Sequence, residues 1–329
     1  MIRRTATAVA ASAVVVALAA CAAPEETPAP AEASDALVVG LTYTPDVQFA
    51  PFYVAEARGY YEEAGVDVTL RHHGASESLF GALEAGEEDL VVVGGDEILQ
   101  AHSAGVPVVS VATIYEEYPV ALIVPADSGI ETAEDLAGHS VGIPGPFGET
   151  HFGLLALLAD AGLTTEDVAV EHIGFTQQAA LSAGHVDAVM GFVNNDAVQF
   201  AQAGVDVRTI PLTGVPLAGI GIGAHTDLAD DDAAAAVVAA TLRGVRDVVD
   251  DPEGAVDVAA EYIPGLADPA AREAALATVE ATVPLYGGAS GQADLELWEE
   301  MAAFMGEHGL LEGEVDVTAA VTNALVDAG

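Results

Sequence analysis

Two stretches decide the fold: Leu83–Glu97, LEAGEEDLVVVGGDE, and Leu181–Asp196, LSAGHVDAVMGFVNND. Each carries Leu-x-Ala-Gly-x-x-Asp, then an apolar run, then a polar cluster. The glycine ends a helix where the left-handed C-cap conformation costs least. The apolar run that follows has the length of a buried strand in a parallel sheet. The clusters after the runs are Gly94-Gly95-Asp96-Glu97 and Gly191-Phe192-Val193-Asn194-Asn195-Asp196. Open α/β sheets bind ligands beyond the carboxyl ends of their strands, so both clusters are candidate binding loops.

Other segments repeat at the same offset of roughly 100 residues, which marks an internal duplication. Val39-Gly40-Leu41 is echoed by Val141-Gly142-Ile143, Ala64-Gly65-Val66 by Ala161-Gly162-Leu163, and Gly74 by Gly174. Within the first copy, strand-like runs at Leu37–Leu41, Val66–Leu70 and Leu90–Val93 alternate with helical stretches at Pro51–Glu63 and Glu77–Ala85. That alternation argues for α/β structure with parallel strands. Two similar lobes are expected, residues 37–122 plus 215–329 and residues 123–214. The chain is expected to cross between them near Leu122–Pro125 and again near Pro211–Val215. Beyond the second crossing the sequence turns helical, at Asp230–Val249, Pro252–Tyr262, Pro269–Val283 and Asp294–His308. Leu295, Trp298, Met301 and Met305 share one face of the last helix and should pack it on the first lobe.

With 329 residues and 52% apolar content the chain is long enough for two ordinary domains and too apolar for disorder. Eight cations, all arginine, stand against 52 acids, a formal charge of −44. A surface this acidic repels phosphate backbones, so nucleic acid is excluded as a partner. The absence of lysine removes Schiff-base chemistry, covalent pyridoxal phosphate attachment and the P-loop. The acid bias resembles the surfaces of proteins that work in high salt.

Residues 1–20 read as a secretory signal: Arg3 and Arg4, an apolar stretch from Ala6 to Ala20, then small residues. The stretch falls short of the about 20 apolar residues of a comfortable membrane span. Leu18-Ala19-Ala20-Cys21 matches the lipobox of exported bacterial lipoproteins, with the single cysteine at the cleavage position. Cys21 is therefore expected to be lipidated, and acyl chains anchor the protein to the membrane. Residues 21–36 then form the lipidated end and a flexible linker rich in Pro, Glu and Ala.

Three further segments are candidates for a site. Tyr43–Tyr53 joins the first strand to the first helix and contains Asp46, Gln48, Phe49 and Phe52. Its aromatics and polar groups suit a flat heterocycle, and they equally suit a turn at Pro45-Asp46 followed by a helix start with core aromatics. Ile114–Pro119 precedes the crossing and contains Tyr115 and Tyr118, which either close on a ligand or cap a strand end. Pro144–Thr150, with Phe147 and Glu149, leads into a helix over His151–Ala161, whose N-terminal N–H groups can receive a ligand.

Other motifs point away from chemistry. Gly219-x-Gly221-x-Gly223 lacks the spacing of a dinucleotide fingerprint and reads as strand. His72-His73 would point to opposite faces of a strand, so no metal site is expected there. Neither a Gly-x-Ser-x-Gly elbow nor a His-Glu-x-x-His helix occurs. Trp298 lies on the apolar stripe and is expected in the core.

Taken with Gly59-Tyr60-Tyr61-Glu62-Glu63-Ala64-Gly65-Val66, Glu131–Gly138 before a Val-Gly strand, and the Gly184-x-x-Asp187 junction, these segments resemble a family. It is the substrate-binding proteins of ABC importers, in the branch that includes nitrate, alkanesulfonate and thiamine-pyrimidine-precursor binders, and the resemblance runs from about Leu37 to the C-terminus. It implies a two-lobed α/β fold of the periplasmic-binding-protein type (type II), two hinge crossings, and a helical C-terminal part packed on the first lobe. It also implies an exported, lipid-anchored, non-enzymatic monomer without cofactor or metal. Such a protein captures a small molecule at the outer face of the cytoplasmic membrane and delivers it to a permease.

The first loop and Asn194-Asn195-Asp196 look more like binders of thiamine pyrimidine precursors, or of riboflavin, than of sulfonate or nitrate. None of Arg58, Arg71, Arg208, Arg243, Arg246 and Arg272 falls in a candidate loop, as an anion site would want. Some relatives are pyrimidine synthases that use a lysine and a cysteine-rich segment, which this chain lacks. The expected contacts are Asp46, Gln48, Phe49, Phe52, Asp96, Tyr115, Tyr118, Phe147, Glu149, Asn195 and Asp196, with aromatics sandwiching a ring and acids and amides taking its N–H groups.

Overall fold

The computed structural model describes residues 36–74 and 77–328. The expected signal segment, Cys21 and linker lie outside these residues.

Ten strands form two five-stranded sheets. They are β1 (Leu37–Leu41), β2 (Val68–His72), β3 (Leu90–Gly94), β4 (Val108–Thr113), β5 (Val120–Pro125), β6 (Ser140–Ile143), β7 (Ala169–His172), β8 (Ala188–Phe192), β9 (Val207–Pro211) and β10 (Ile220–His225). The first sheet has the order β2-β1-β3-β10-β4 and the second β7-β6-β8-β5-β9. In each, the first three strands run parallel and the fourth runs antiparallel to both its neighbours.

The duplication in sequence is thus a duplication in space. Asp89 Oδ2 accepts from the Val38 N–H at 2.8 Å, and Asp187 Oδ2 accepts from the Ser140 N–H at 2.8 Å. In both copies the aspartate that ends Leu-x-Ala-Gly-x-x-Asp ties the start of the third strand to the start of the first.

The chain passes from the first sheet to the second between Thr113 and Val120 and returns between Pro211 and Ile220. Leu122–Pro125, expected as a crossing, lies inside β5, because its apolar run pairs on both edges, with β8 and with β9. The second strand also begins later than its apolar run suggests: the Val66 N–H is used by the Tyr61 carbonyl, closing the preceding helix, and pairing starts at Val68.

Helices cover both faces of the first sheet. On one, Phe52 and Tyr53 of the helix Ala50–Ala57 pack with Val238 and Val245 of the helix Asp232–Asp250 against Val39, Leu41 and Ile222. On the other, Trp298, Met301 and Met305 of the helix Leu295–Glu307 pack with Val91, Val93 and Leu99. The C-terminal helices therefore lie on the first sheet. Leu295, expected in that stripe, is exposed, since it begins the helix beyond the edge of the contact. The second sheet has its own two cores, around Leu122, Ile143 and Leu154 and around Ile123, Val189 and Phe200.

Gly221 lies in β10, where a Cβ would overlap the Ala112 carbonyl oxygen, and a Cβ on Gly219 would overlap that of Tyr115. Glycine stands at these two positions because backbone approaches backbone there.

Candidate functional site

A cavity of about 430 Å³ opens between the two sheets. Its walls are the segments after the parallel strands: Gln48, Phe49 and Phe52 after β1, Glu97 after β3, Phe147 and Glu149 after β6, Phe175 and Gln177 after β7, and Asn195 and Asp196 after β8. Tyr115 and Ile220 close it where the chain passes between sheets.

Local chemistry sets the first wall. Asp46 Oδ1 accepts from the Gln48 N–H at 2.9 Å and caps the short turn Val47–Phe49. Pro51 then starts the helix Ala50–Ala57. Phe49 and Phe52 are both core residues and cavity lining, so the two readings of this segment coexist. His72 lies against Phe49 and meets the Tyr43 carbonyl and the Tyr53 hydroxyl, each at 3.0 Å, whereas His73 turns to Glu88.

At the mouth, Tyr43 of the first half meets Phe175 of the second with ring centroids 5.6 Å apart, and Phe147 lies 6.5 Å from Phe175. Phe147 and Phe175 are each about half exposed, at 50% and 51%, among few large apolar side chains so placed. A flat ring entering the cavity would cover them.

The floor is acidic. Glu97 on the helix Gly95–Ser103 and Glu149 on the helix Gly148–Asp160 both line this floor, so their charges act on one another. Burial, with Glu149 and Asp96 adding to it, holds Glu97 well above the usual carboxylate range. Burial and the Asp96 charge push Glu149 up to about 8, and burial pushes Asp96 up to about 6. The Tyr118 hydroxyl donates to Asp96 Oδ2 at 2.7 Å and lies 2.9 Å from the Glu149 carbonyl oxygen. On the opposite side, Asn195 Nδ2 donates to Gln48 Oε1 at 3.2 Å, and Gln199 Nε2 donates to Asn195 Oδ1 at 2.7 Å. Asp196 Oδ2 accepts from the Phe192 N–H at 2.8 Å, and burial pushes its carboxyl up to about 6.

Residues 46–255 match the family model described as NMT1/THI5 like. The chain belongs to that family. The NMT1/THI5-like chain is 32% identical over 323 residues to the riboflavin-binding protein RibY of Chloroflexus aurantiacus, covering 94% of this chain and 91% of that protein. It is 27% identical over 295 residues to the formylaminopyrimidine-binding protein of Halalkalibacterium halodurans, covering 86% and 88%. Among solved structures, the alkanesulfonate-binding protein SsuA of Xanthomonas axonopodis pv. citri, bound to MOPS, superposes with a TM-score of 0.70 at 22% identity, covering 89% of this chain and 99% of that one. That likeness establishes the periplasmic-binding-protein fold for this NMT1/THI5-like chain.

Of the eleven residues singled out in the sequence, Gln48, Phe49, Phe52, Tyr115, Phe147, Glu149, Asn195 and Asp196 line the cavity of this family member. Asp46, Asp96 and Tyr118 do not. Asp46 is spent on the turn that aims Gln48. Asp96 is fully buried beneath the floor, paired with Tyr118, because the next helical position, Glu97, is the one turned to the cavity. Tyr43, Glu97, Phe175, Gln177 and Gln199 line the cavity as well. Glu97 had a legible signal, since it stands three residues after Gly94 at the start of a helix and accepts its N–H at 3.0 Å. Phe175 and Gln177 had none, lying in a polar stretch without periodicity.

Proposed function

We propose that this chain is the non-catalytic solute-binding component of an ABC-type importer and that its ligand is a fused-ring N-heterocycle of riboflavin size. The observation that carries the reading is the cavity: about 430 Å³, within the roughly 300–1,000 Å³ usual for small-molecule sites, with aromatics at wall and mouth and acids and amides between them. A lone pyrimidine ring would leave much of that space to water, whereas a three-ring system with a hydroxylated chain fills it. The 32% identity to a riboflavin-binding protein over 94% of the chain supports the same choice.

Gln48, Asn195 and Gln199 would meet carbonyl and N–H groups of the ring, with Phe49, Phe52 and Phe147 against its faces. The lobes, residues 37–113 plus 220–329 and residues 120–211, would rotate about residues 114–119 and 212–219 to close on it. Cleavage before Cys21 and lipidation there would place a monomer at the outer face of the cytoplasmic membrane, delivering to a permease. A thiamine pyrimidine precursor, which the sequence places ahead of riboflavin, is the second reading, supported by the 27% identity to a formylaminopyrimidine binder. An enzyme reading has no lysine and no cysteine other than Cys21 on which to build the synthase chemistry of some relatives.

Melting temperature of the purified protein tests the reading against riboflavin, hydroxymethylpyrimidine, formylaminopyrimidine, taurine and nitrate. A ligand at 100 times its dissociation constant adds about 2.7 kcal/mol to the folded state. Stabilisation by riboflavin is expected; stabilisation by taurine or nitrate alone would overturn the reading.

A further inference from the structure

The first crossing between the sheets is fastened at both ends. Glu116 Oε2 accepts from the Gly288 N–H at 2.8 Å, Glu116 Oε1 accepts from the Ser290 N–H at 3.2 Å, and the Glu117 N–H donates to the Leu285 carbonyl at 3.2 Å. Leu285 is part of the first sheet's core, so the chain up to Glu117 is held to the first lobe. The Pro119 carbonyl accepts from the Val193 N–H at 2.9 Å, and Val120 starts β5, so the chain from Pro119 onward is held to the second lobe. Tyr118 is the residue left between the two anchors.

Its hydroxyl lies between the lobes as well. Asp96 Oδ2, after β3 of the first sheet, is 2.7 Å away, and the Glu149 carbonyl oxygen, after β6 of the second, is 2.9 Å away. A tyrosine hydroxyl has one proton to give. Burial and the Asp96 charge hold the Tyr118 hydroxyl well above its usual range, so that proton stays on it. While Asp96 is ionised the proton goes to Oδ2, the stronger acceptor, and the Tyr118 and Glu149 oxygens face each other without a hydrogen between them. Once Asp96 is protonated, its own O–H donates to the Tyr118 oxygen and the Tyr118 proton turns to the Glu149 carbonyl. Asp96 Oδ1 already accepts from the Glu97 N–H at 2.8 Å, which leaves Oδ2 as the oxygen that carries the proton.

We infer that Tyr118 is the positioning residue for closure of the cavity: its hydroxyl ties the second lobe to the first when Asp96 carries a proton and releases it when Asp96 is ionised. The inference rests on the lobe closure proposed above and names the contact that governs it. The titratable groups facing Asp96 are Glu97 on its own helix, Glu149 on the helix Gly148–Asp160 and Tyr118 on the crossing, and none of them supplies a counter-charge. The helix Leu295–Glu307 brings only the apolar Trp298 and Met301 to this side of the first sheet. Burial pushes Asp96 up to about 6, so the tie is present below that pH and is lost as pH rises through it.

Small-angle X-ray scattering of the purified protein without ligand tests this at pH 5 and pH 8, in about 1 M salt, where a Debye length of about 3 Å screens the net charge of the chain. The wild-type radius of gyration is expected to rise from pH 5 to pH 8 by a few per cent of the roughly 20 Å that a chain of this length has. Asp96→Asn keeps an acceptor for the Glu97 N–H and turns an amide N–H to Tyr118, as the protonated carboxyl does, so its radius is expected to stay at the pH 5 value throughout. Tyr118→Phe removes the tie and keeps the ring, and its radius is expected to stay at the pH 8 value throughout. Two changes at one contact thus move the radius in opposite directions, which a loss of stability does not do. A wild-type radius that does not change with pH, or either folded variant keeping the wild-type pH dependence, overturns the inference. Should Tyr118→Phe fail to fold, Asp96→Asn decides alone by the same criterion. No heterocycle enters the experiment, so its failure leaves the ligand reading to the riboflavin titration.

Discussion

Asn195 joins the two halves of the molecule: its Nδ2 donates to Gln48 Oε1 at 3.2 Å, linking the helix start after β8 to the turn after β1. Both residues line the cavity, so one contact serves closure and ligand together. Asn195→Ala is expected to weaken riboflavin binding about tenfold, the loss of a hydrogen bond or two at about 1 kcal/mol each. Melting temperature of the free protein is expected to stay within about 2 °C, since a half-buried polar contact contributes little to the fold. A large fall in melting temperature with unchanged affinity would make Asn195 structural only.

The buried carboxyls give the free protein a pH dependence whose sign is fixed. Asp96 and Asp196 are raised to about 6 and Glu149 to about 8, against about 4 in an unfolded chain. The folded state therefore holds these protons more tightly than the unfolded state, and the associated stability is present below about pH 4 and is lost as pH rises through 6 and 8. Melting temperature is expected to fall between pH 5.5 and 8.5, and Glu149→Gln is expected to flatten the upper half of that fall. A wild-type curve that rises across this interval would contradict the desolvation of Asp96, Asp196 and Glu149 in the folded state.

Phe147 and Phe175 stand half exposed at the mouth and contribute little to either core. Replacing both with alanine is expected to change unfolding free energy by less than about 1 kcal/mol. The same change is expected to weaken a stacking heterocycle at least fivefold, measured by flavin fluorescence quenching. Unaltered quenching would move the ring deeper, to Phe49 and Phe52.

Gly221 tests the fold rather than the site. A side-chain Cβ there overlaps the Ala112 carbonyl across the β10–β4 pairing. Gly221→Ala is expected to destabilise by about 1–3 kcal/mol, read from denaturant unfolding. A neutral result would place that glycine outside the sheet.

The duplicated architecture was legible because it rests on local chemistry: Asp89 and Asp187 each close a helix–strand junction on a backbone N–H, and such junctions leave a seven-residue signature. The long amphipathic helices after β10 were legible for the same reason, and Asp232–Asp250 and Pro269–Thr282 begin and end within two residues of expectation. What could not be read were choices made by tertiary contact. Sequence alone does not tell that Glu97 faces the cavity while Asp96 goes beneath it to Tyr118, because both are acids at a helix start. Nor does it tell that Phe175, in a polar loop, meets Tyr43 from the other half. The repeat pattern breaks at Leu122–Pro125 because β5 runs antiparallel to both its neighbours in the second sheet, and not because the chain crosses there.

The most direct measurement is an equilibrium titration of the purified protein with riboflavin, followed by competition with hydroxymethylpyrimidine. Saturable quenching at one flavin per chain is expected of a riboflavin site, with the pyrimidine displacing flavin only at concentrations at least 100-fold higher. Displacement by the pyrimidine at equal concentration, or the absence of flavin quenching, would contradict it.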